Sequence, residues 1–159
     1  MLAYNHHRRS NQPERETDMP HLNAYIFFDG TCADAMRFYE QTLGGKLVLM
    51  TNAQSPEGQQ CPEGAADRIM HARLVLDDGG ILMASDWMAG GEQPYKGMEG
   101  FSLALLYPDV DGAKKAFETL GEGGQTIMAM EKTFWAETFG VVVDRFGTSW
   151  MISGGPIEG

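Results

Sequence analysis

AMRFYE at residues 35–40 and AKKAFE at residues 113–118 are two copies of one helical segment, and this repetition decides the fold. The alignment pairs Tyr39 with Phe117. Each copy carries apolar residues at the helical period, and each follows a short β-rich run. Repetition of a whole supersecondary unit constrains the fold more strongly than any single motif.

The first copy has the order of a βαβββ unit. LNAYIFF (22–28) predicts a strand, and TCADAMRFYEQTLGG (31–45) predicts the helix that follows it. KLVLMTN (46–52) predicts the second strand. The last two strands, IMHARLVLD (69–77) and GILMASD (80–86), meet at an Asp-Gly-Gly turn that is typical of a hairpin.

The second copy repeats this order. Its segments are GFSLALLY (100–107), the helix DVDGAKKAFETL (109–120), QTIMAME (125–131), FGVVVD (139–144) and TSWMIS (148–153). Each unit alone is a sheet with a helix on one face, so its other face needs cover. We therefore predict an α+β fold in which two βαβββ repeats form a curved, largely antiparallel sheet trough. A trough between repeats is where a ligand is expected.

The pattern also predicts the domain organisation and the helix ends. Thr31 is expected to cap the first helix, with Asp34 completing a capping box, and Gly44-Gly45 are expected to end it. The chain is predicted to divide into a flexible N-terminal arm (1–18), one domain (19–154) and a tail (155–159). Within the domain we expect a first unit at about 21–87, a linker at 88–99 and a second unit at about 100–154.

Charge and composition limit the function classes. The formal net charge of −10 disfavours nucleic acids and anionic membranes as partners, which leaves a small-molecule ligand as the expected one. No apolar run has the length of a membrane span. Two cysteines, Cys32 and Cys61, form no disulfide framework, and the N-terminus has no apolar secretion signal. We therefore expect a cytoplasmic protein.

Four stretches resemble a known family. They are FFDGTCADAMRFYEQTLGG (27–45), IMHARLVLDDGGILMASD (69–86), FSLALLYPD (101–109) and TFWAETFGVVVDRFGTSWMIS (133–153). Together they resemble the vicinal oxygen chelate superfamily, which includes glyoxalase I, extradiol dioxygenases and the fosfomycin-resistance and bleomycin-binding proteins. Within it the chain looks like the PhnB-like branch. The resemblance implies the duplicated βαβββ fold and a homodimer.

The resemblance also implies where a divalent metal would bind. The superfamily's metalloenzymes hold the ion with His, Gln or Glu side chains from the first and last strands of each unit. Here those strands offer only weaker or isolated donors, namely Asn23, Ser85, Asp86, Ser102, Ser149 and Ser153. We therefore expect no metal site of the superfamily type, and His71 and Asp86 are the remaining metal candidates.

His71 lies inside a predicted strand. Alternation puts His71, Arg73, Val75 and Asp77 on one face, toward the trough or solvent, and the opposite set, Met70, Ala72, Leu74 and Leu76, in the core. His71 is interpreted either as a general base, ligand donor or metal ligand, or as a hydrogen-bonded sheet histidine. Arg73 beside it is a candidate ligand-binding residue.

Aromatic and acidic residues complete the candidate site. Trp87, Tyr95, Trp135 and Trp150 are candidates for a ligand-binding surface, with core packing or bridging of the halves as the alternative. Asp86 is a further ligand-binding candidate. Glu131, near Trp135, is a catalytic candidate together with His71, with a solvated loop charge as its alternative. Cys32 in the first helical turn is interpreted as a thiolate site or as an incidental cysteine.

Three functions remain open from the sequence. The first is a small-molecule binder for an apolar or aromatic ligand. The second is a divalent-metal-dependent lyase, dioxygenase or transferase with non-standard ligands. The third is a non-enzymatic dimeric interaction domain. The sequence names neither a substrate nor a cofactor.

Overall fold

A computed structural model describes residues 20–56, 63–88 and 90–156. The predicted arm, Cys61 and the end of the predicted tail lie outside these residues. The elements are β1 (Ala24–Phe28), α1 (Cys32–Leu43), β2 (Lys46–Thr51), a short 3-10 turn (Asn52–Gln54), β3 (Ile69–Val75), β4 (Ile81–Asp86), β5 (Leu103–Tyr107), α2 (Val110–Gly121), β6 (Gln125–Glu131), β7 (Thr138–Val143) and β8 (Ser149–Gly154).

The strands form two four-stranded sheets of identical topology. The first sheet has the order β1-β4-β3-β2 and the second has the order β5-β8-β7-β6. In each sheet the pair at one edge is parallel, β1 with β4 and β5 with β8, and the other pairs are antiparallel. The predicted α+β fold of two βαβββ repeats is therefore confirmed.

The two helices are equivalent in length and position. Each spans 12 residues, and each follows the first strand of its repeat. Their apolar faces pack against the sheets, with Met36 and Tyr39 buried on α1 and Ala113 and Leu120 buried on α2. Because both helices and the adjacent sheet faces contribute to one hydrophobic cluster, the repeats share a single core.

The start of α1 differs from the sequence prediction. Thr31 occupies the cap position, but its side chain makes no capping hydrogen bond. Instead, Oδ1 of Asp86 accepts hydrogen bonds from the backbone N–H groups of Gly30 (2.8 Å) and Cys32 (3.0 Å). A carboxylate from β4 therefore satisfies the free N–H groups at this helix end, which sequence-local pairing cannot reveal. The predicted helix end at Gly44 is confirmed, with φ of 78°.

A β-bulge changes the predicted alternation in β3. Met50 pairs with His71 and Thr51 pairs with Ile69, so Met70 is left without a partner on β2. The prediction that Met70 lies in the core is therefore wrong: its side chain is exposed, while Ile69, Ala72 and Leu74 are buried. Such an extra residue shifts the side chains on one side of the bulge by one position relative to strict alternation.

A buried hydrogen-bond network joins the repeats. The hydroxyl of Tyr39 on α1 donates to Asp144 at 2.6 Å and lies 2.9 Å from Oγ1 of Thr148. The indole N–H of Trp150 donates to the same Asp144 oxygen, Oδ2, at 2.9 Å. The ring of Tyr39 meets that of Trp150 edge-on at 5.1 Å. The first helix is thereby attached to the last hairpin of the chain.

Each sheet has one face on the core and one open face. The open face of the first sheet exposes Tyr25, Phe27 and Val48, and that of the second exposes Leu106 and Met151. Both open faces point away from the shared core, so neither covers the other within the described chain. No helix of the described residues has the length and apolar character needed to cross a membrane.

Candidate functional site

The candidate site lies on the open face of the first sheet. Ile26 and Phe28 of β1 point into the core, so Tyr25 and Phe27, which alternate with them, point outward. They are 40% and 41% exposed, which is high for aromatic side chains in a sheet. Ser85 lies opposite Phe27 in the neighbouring strand. The sheet register therefore presents aromatic rings on a surface that the core does not use.

Five aromatic side chains form a continuous row on this face, which we call the aromatic row: Tyr25, Phe27, His71, Trp87 and Tyr95. Ring centroids are 5.8 Å apart between His71 and Tyr25, 5.2 Å between Tyr25 and Phe27, 5.3 Å between Phe27 and Trp87, and 6.4 Å between Trp87 and Tyr95. These separations lie in the range of favourable edge-to-face and tilted contacts.

The segment after β4 is tied to this face by hydrogen bonds. The Tyr95 hydroxyl donates to the carbonyl of Phe27 at 2.8 Å, and the Trp87 indole donates to the carbonyl of Gln93 at 2.8 Å. Burial, with a smaller contribution from Asp29, raises the pKa of Tyr95. The hydroxyl therefore stays protonated at neutral pH and remains a donor to Phe27.

Arg68 positions Trp87 from the other side. Its guanidinium donates to the carbonyl of Trp87 at 2.7 Å and forms an ion pair with Asp29 at 2.7 Å. The backbone N–H of Trp87 donates to the carbonyl of Phe28 at 2.6 Å. Since both backbone groups of Trp87 are engaged, the indole is held between Phe27 and Tyr95 in the aromatic row.

Polar groups lie at the opposite end of the row. Nδ1 of His71 is 3.3 Å from the Tyr25 hydroxyl, and His71 is half-buried. Arg73, two residues along β3, is exposed on the same face. No carboxylate of the described residues forms an ion pair with Arg73. The face thus combines an apolar aromatic surface with an imidazole and a guanidinium.

Asp86 does not face this site. It is buried, and besides its two bonds at the start of α1 its Oδ2 accepts the N–H of Ile69 at 2.8 Å. Burial, with a smaller contribution from Asp86, raises the pKa of Cys32 to about 12. Cys32 is therefore a neutral thiol, because burial outweighs the helix dipole that favours a thiolate. Both residues support the fold of the first repeat.

The remaining predicted residues lie in the second repeat. Trp150, on β8, is buried against Tyr39 of α1, within the network around Asp144. Trp135 lies near the open face of the second sheet, where its ring contacts Phe134 at 4.7 Å and Phe139 at 5.4 Å. Glu131 is exposed at the end of β6, opposite Phe139. The structure thus groups His71, Arg73, Trp87 and Tyr95 together and places the others elsewhere.

The superfamily binds its metal at four strands, the first and last of each repeat. In this chain the outward-facing residues of those strands do not fit a divalent ion. These positions carry Tyr25 and Phe27 on β1, Ser85 on β4, Leu106 on β5, and Met151 and Ser153 on β8. Ser102 precedes β5, contrary to the prediction, and its hydroxyl is 2.6 Å from that of Ser149. Within the described ranges no three His, Cys, Asp or Glu side chains are grouped as metal ligands. Hydroxyls and thioethers alone are poor ligands for such ions.

Comparison with known proteins assigns the family. The family model described as the Glyoxalase/Bleomycin resistance protein/Dioxygenase superfamily matches residues 20–152. The chain belongs to this superfamily. The match spans both of the βαβββ repeats that were deduced from the two helical segments. The resemblance to this superfamily seen in the sequence is therefore confirmed.

Relatives and solved structures agree with this assignment. Protein YjdN of Escherichia coli is 36% identical over 141 residues, which cover 83% of this chain and 93% of YjdN. The crystal structure of protein PA1353 from Pseudomonas aeruginosa has a TM-score of 0.79 and 38% identity, and the match covers 87% of this chain and 99% of PA1353. A PhnB protein from Bacillus cereus has a TM-score of 0.66 at 19% identity, covering 84% and 98%, and so shares the fold.

Proposed function

We propose that this protein binds a small planar or aromatic molecule that carries an anionic or acceptor group, on the open face of its first sheet. The observation that carries the proposal is the aromatic row. Five rings in tilted or edge-on contact, two of them about two-fifths exposed, form a surface for which core packing gives no reason. Exposed apolar patches bordered by polar groups are typical of ligand or partner sites.

The polar end of the row supports an acceptor group on the ligand. Arg73 presents a planar set of N–H donors that suits a carboxylate or phosphate. His71 adds a ring nitrogen beyond the one that faces Tyr25. A ligand lying along the rings would place its polar substituent near these two side chains. Because Arg73 has no ion-pair partner among the described residues, binding need not break an existing bridge.

The proposed assembly is a homodimer that covers both open faces. The first sheet exposes apolar side chains together with the cations Lys46 and Arg73, and the second exposes Leu106 and Met151 together with the anion Glu131. Apolar character and opposite charge make the two faces complementary. The second sheet of one copy is therefore proposed to lie over the aromatic row of the other.

Glu131 and His71, the acid–base candidates of the sequence, lie on the two open faces that this proposed assembly would bring together. We propose binding as the function, and the outward-facing residues of the four strands argue against a metal-dependent reaction of the superfamily type. The net charge of −10 continues to favour a small molecule over nucleic acid or anionic membrane, and we expect the protein in the cytoplasm.

The test uses 2-naphthoate and its neutral counterpart 2-naphthol as probes. Purified protein is titrated with each probe, and the dissociation constant is measured by ligand-observed NMR. We expect 2-naphthoate to bind, and we expect Trp87→Ala and Phe27→Ala each to weaken binding by about threefold to tenfold, the value of one aromatic contact. Arg73→Gln is expected to weaken 2-naphthoate and to leave 2-naphthol unchanged.

Phe101→Ala is the matched control, because Phe101 is an exposed ring outside the aromatic row. Its affinity for both probes is expected to equal that of the wild type. Absence of binding at millimolar probe, or equal weakening by Phe101→Ala and Trp87→Ala, would overturn the proposed site. Light scattering tests the dimer separately: Leu106→Asp is expected to shift the protein toward monomer, and a wild-type monomer would contradict the assembly.

A further inference from the structure

An open surface cavity lies where α1 meets the β7–β8 turn, on the side of the molecule that carries the helices. It has a volume of about 350 Å³ and contains two arginines in a chain of strongly negative net charge. Its lining residues are Asp34, Arg37, Phe38, Gln41, Arg145 and Phe146. The aromatic row contributes none of them, so the cavity is separate from the proposed ligand site.

Arg145 is held in position by stacking. Its guanidinium carbon lies 4.1 Å from the ring centroid of Phe38 and 4.8 Å from that of Phe146. Its aliphatic stem runs beside Gly123, where an added Cβ would lie 3.5 Å from the Cβ and 3.6 Å from the Cδ of Arg145. Stacking on two rings restricts the rotamers of the side chain, so less entropy is lost when its N–H groups bind a ligand.

Neither arginine has an anionic partner among the described residues. Arg37 is exposed on α1, and no described carboxylate lies within the 4.0 Å of an ion pair with Arg37 or Arg145. Asp34 is one helical turn before Arg37 and lines the cavity without pairing with it. Two unpaired guanidiniums in one cavity favour an anion, because each can form paired N–H bonds to the oxygens of a carboxylate or phosphate.

We propose that this cavity binds a small doubly charged oxyanion, a phosphate monoester or a dicarboxylate, through Arg37 and Arg145. At the edge of the cavity, the carboxylate of Asp34 accepts a hydrogen bond from a hydroxyl group of the same molecule. The side-chain amide of Gln41 donates a hydrogen bond to such a hydroxyl or accepts one from it. The site is built by both repeats, Arg37 from the first and Arg145 from the second. Bound anion therefore also stabilises the junction between repeats.

The experiment is calorimetric titration at low ionic strength, where screening is weak. The probes are inorganic phosphate, glycerol 3-phosphate and malonate. We expect saturable binding of at least one of them. Arg145→Gln and Arg37→Gln are each expected to weaken that binding by about tenfold, the value of one charge-assisted pair of hydrogen bonds. Preference for phosphate or for malonate identifies which oxyanion class the site takes, and either supports the proposal.

Two variants keep the result interpretable. Lys114→Gln removes one positive charge from an exposed position on α2 outside the cavity and is expected to bind the probes like the wild type. Arg145→Lys keeps the charge but loses the planar set of donors, and is expected to weaken binding without unfolding the chain. No saturable heat with any probe, or equal weakening by Lys114→Gln, would overturn the site. Circular dichroism confirms that each variant is folded.

Discussion

Replacement of Asp144 by Ala tests whether the buried network holds the repeats together. The side chain is 3% exposed and accepts four hydrogen bonds, from the backbone N–H groups of Phe146 and Thr148 and from the side chains of Tyr39 and Trp150. Hydrogen bonds to a charged group contribute about 1.5–3 kcal/mol each, but members of one network are not additive. Water also reaches the exposed turn beside Phe146, which reduces the loss.

The expected cost is therefore about 3–5 kcal/mol, set mainly by the two buried donors, Tyr39 and Trp150, that lose their shared acceptor. Tyr39 keeps a second acceptor in Thr148, 2.9 Å away. The indole N–H of Trp150 is left without an acceptor and therefore accounts for the larger part of the cost. Tyr39→Phe, which removes one hydroxyl and leaves the ring contact, is expected to cost about 1–2 kcal/mol.

The assay is urea denaturation followed by tryptophan fluorescence, since Trp150 reports directly on the junction. Asp77→Ala is the matched control: Asp77 lies in the β3–β4 turn, as Asp144 lies in the β7–β8 turn, but it is exposed and its side chain makes no hydrogen bond within the described structure. Its cost is expected to stay within about 0.5 kcal/mol. A loss below about 1 kcal/mol for Asp144→Ala, or an equal loss for Asp77→Ala, would refute the reasoning.

Two further predictions concern the first repeat. Folding raises the pKa of Cys32 from 9.0 to about 12, so between these values the folded state keeps the thiol neutral while the unfolded chain ionises. The contribution of this thiol to the free energy of unfolding is therefore unchanged below pH 9 and falls between pH 9 and about 12. The fall is at most about 1.4 kcal/mol per pH unit for this group. Between pH 8 and pH 10, the urea midpoint of Cys32→Ser is expected to fall less steeply than that of the wild type. Equal slopes would contradict the prediction. Asp86→Asn is expected to destabilise the protein by about 2–4 kcal/mol, because an amide offers one acceptor oxygen where three N–H groups converge. The affinity of the folded variant for 2-naphthoate is expected to be unchanged. Loss of that affinity in a folded Asp86→Asn variant would return Asp86 to the binding site.

The fold was predictable because periodicity and duplication are local properties of the sequence. The spacing of apolar residues in 35–40 and 113–118 identified both helices, and turn residues identified most strand ends. The bulge at Met70 was not predictable, since it depends on the register between β2 and β3. The cap of α1 was missed for the same reason: its acceptor, Asp86, is more than 50 residues away in the chain.

The candidate site was predictable in part. His71, Arg73, Trp87 and Tyr95 were proposed from the sequence, and the structure brings them to one face. Tyr25 and Phe27 were missed, although the alternation in AYIFF (24–28) already separates them from the inward-facing Ile26 and Phe28. Trp150 and Asp86 resembled site residues because large aromatics and carboxylates near strand ends are common in sites. Their burial and hydrogen-bond partners depend on tertiary contacts, which a single sequence does not contain.

Amide and indole chemical-shift mapping with 2-naphthoate tests the central claim most directly, because it locates the ligand without assuming which residues matter. The account predicts saturable shifts concentrated on β1, on β3 around His71 and Arg73, and on the Trp87 indole, with the Trp150 indole unaffected. Shifts confined to the shared core or to the Arg37–Arg145 cavity, or no saturable shifts, would contradict the assignment of the aromatic row as the binding surface.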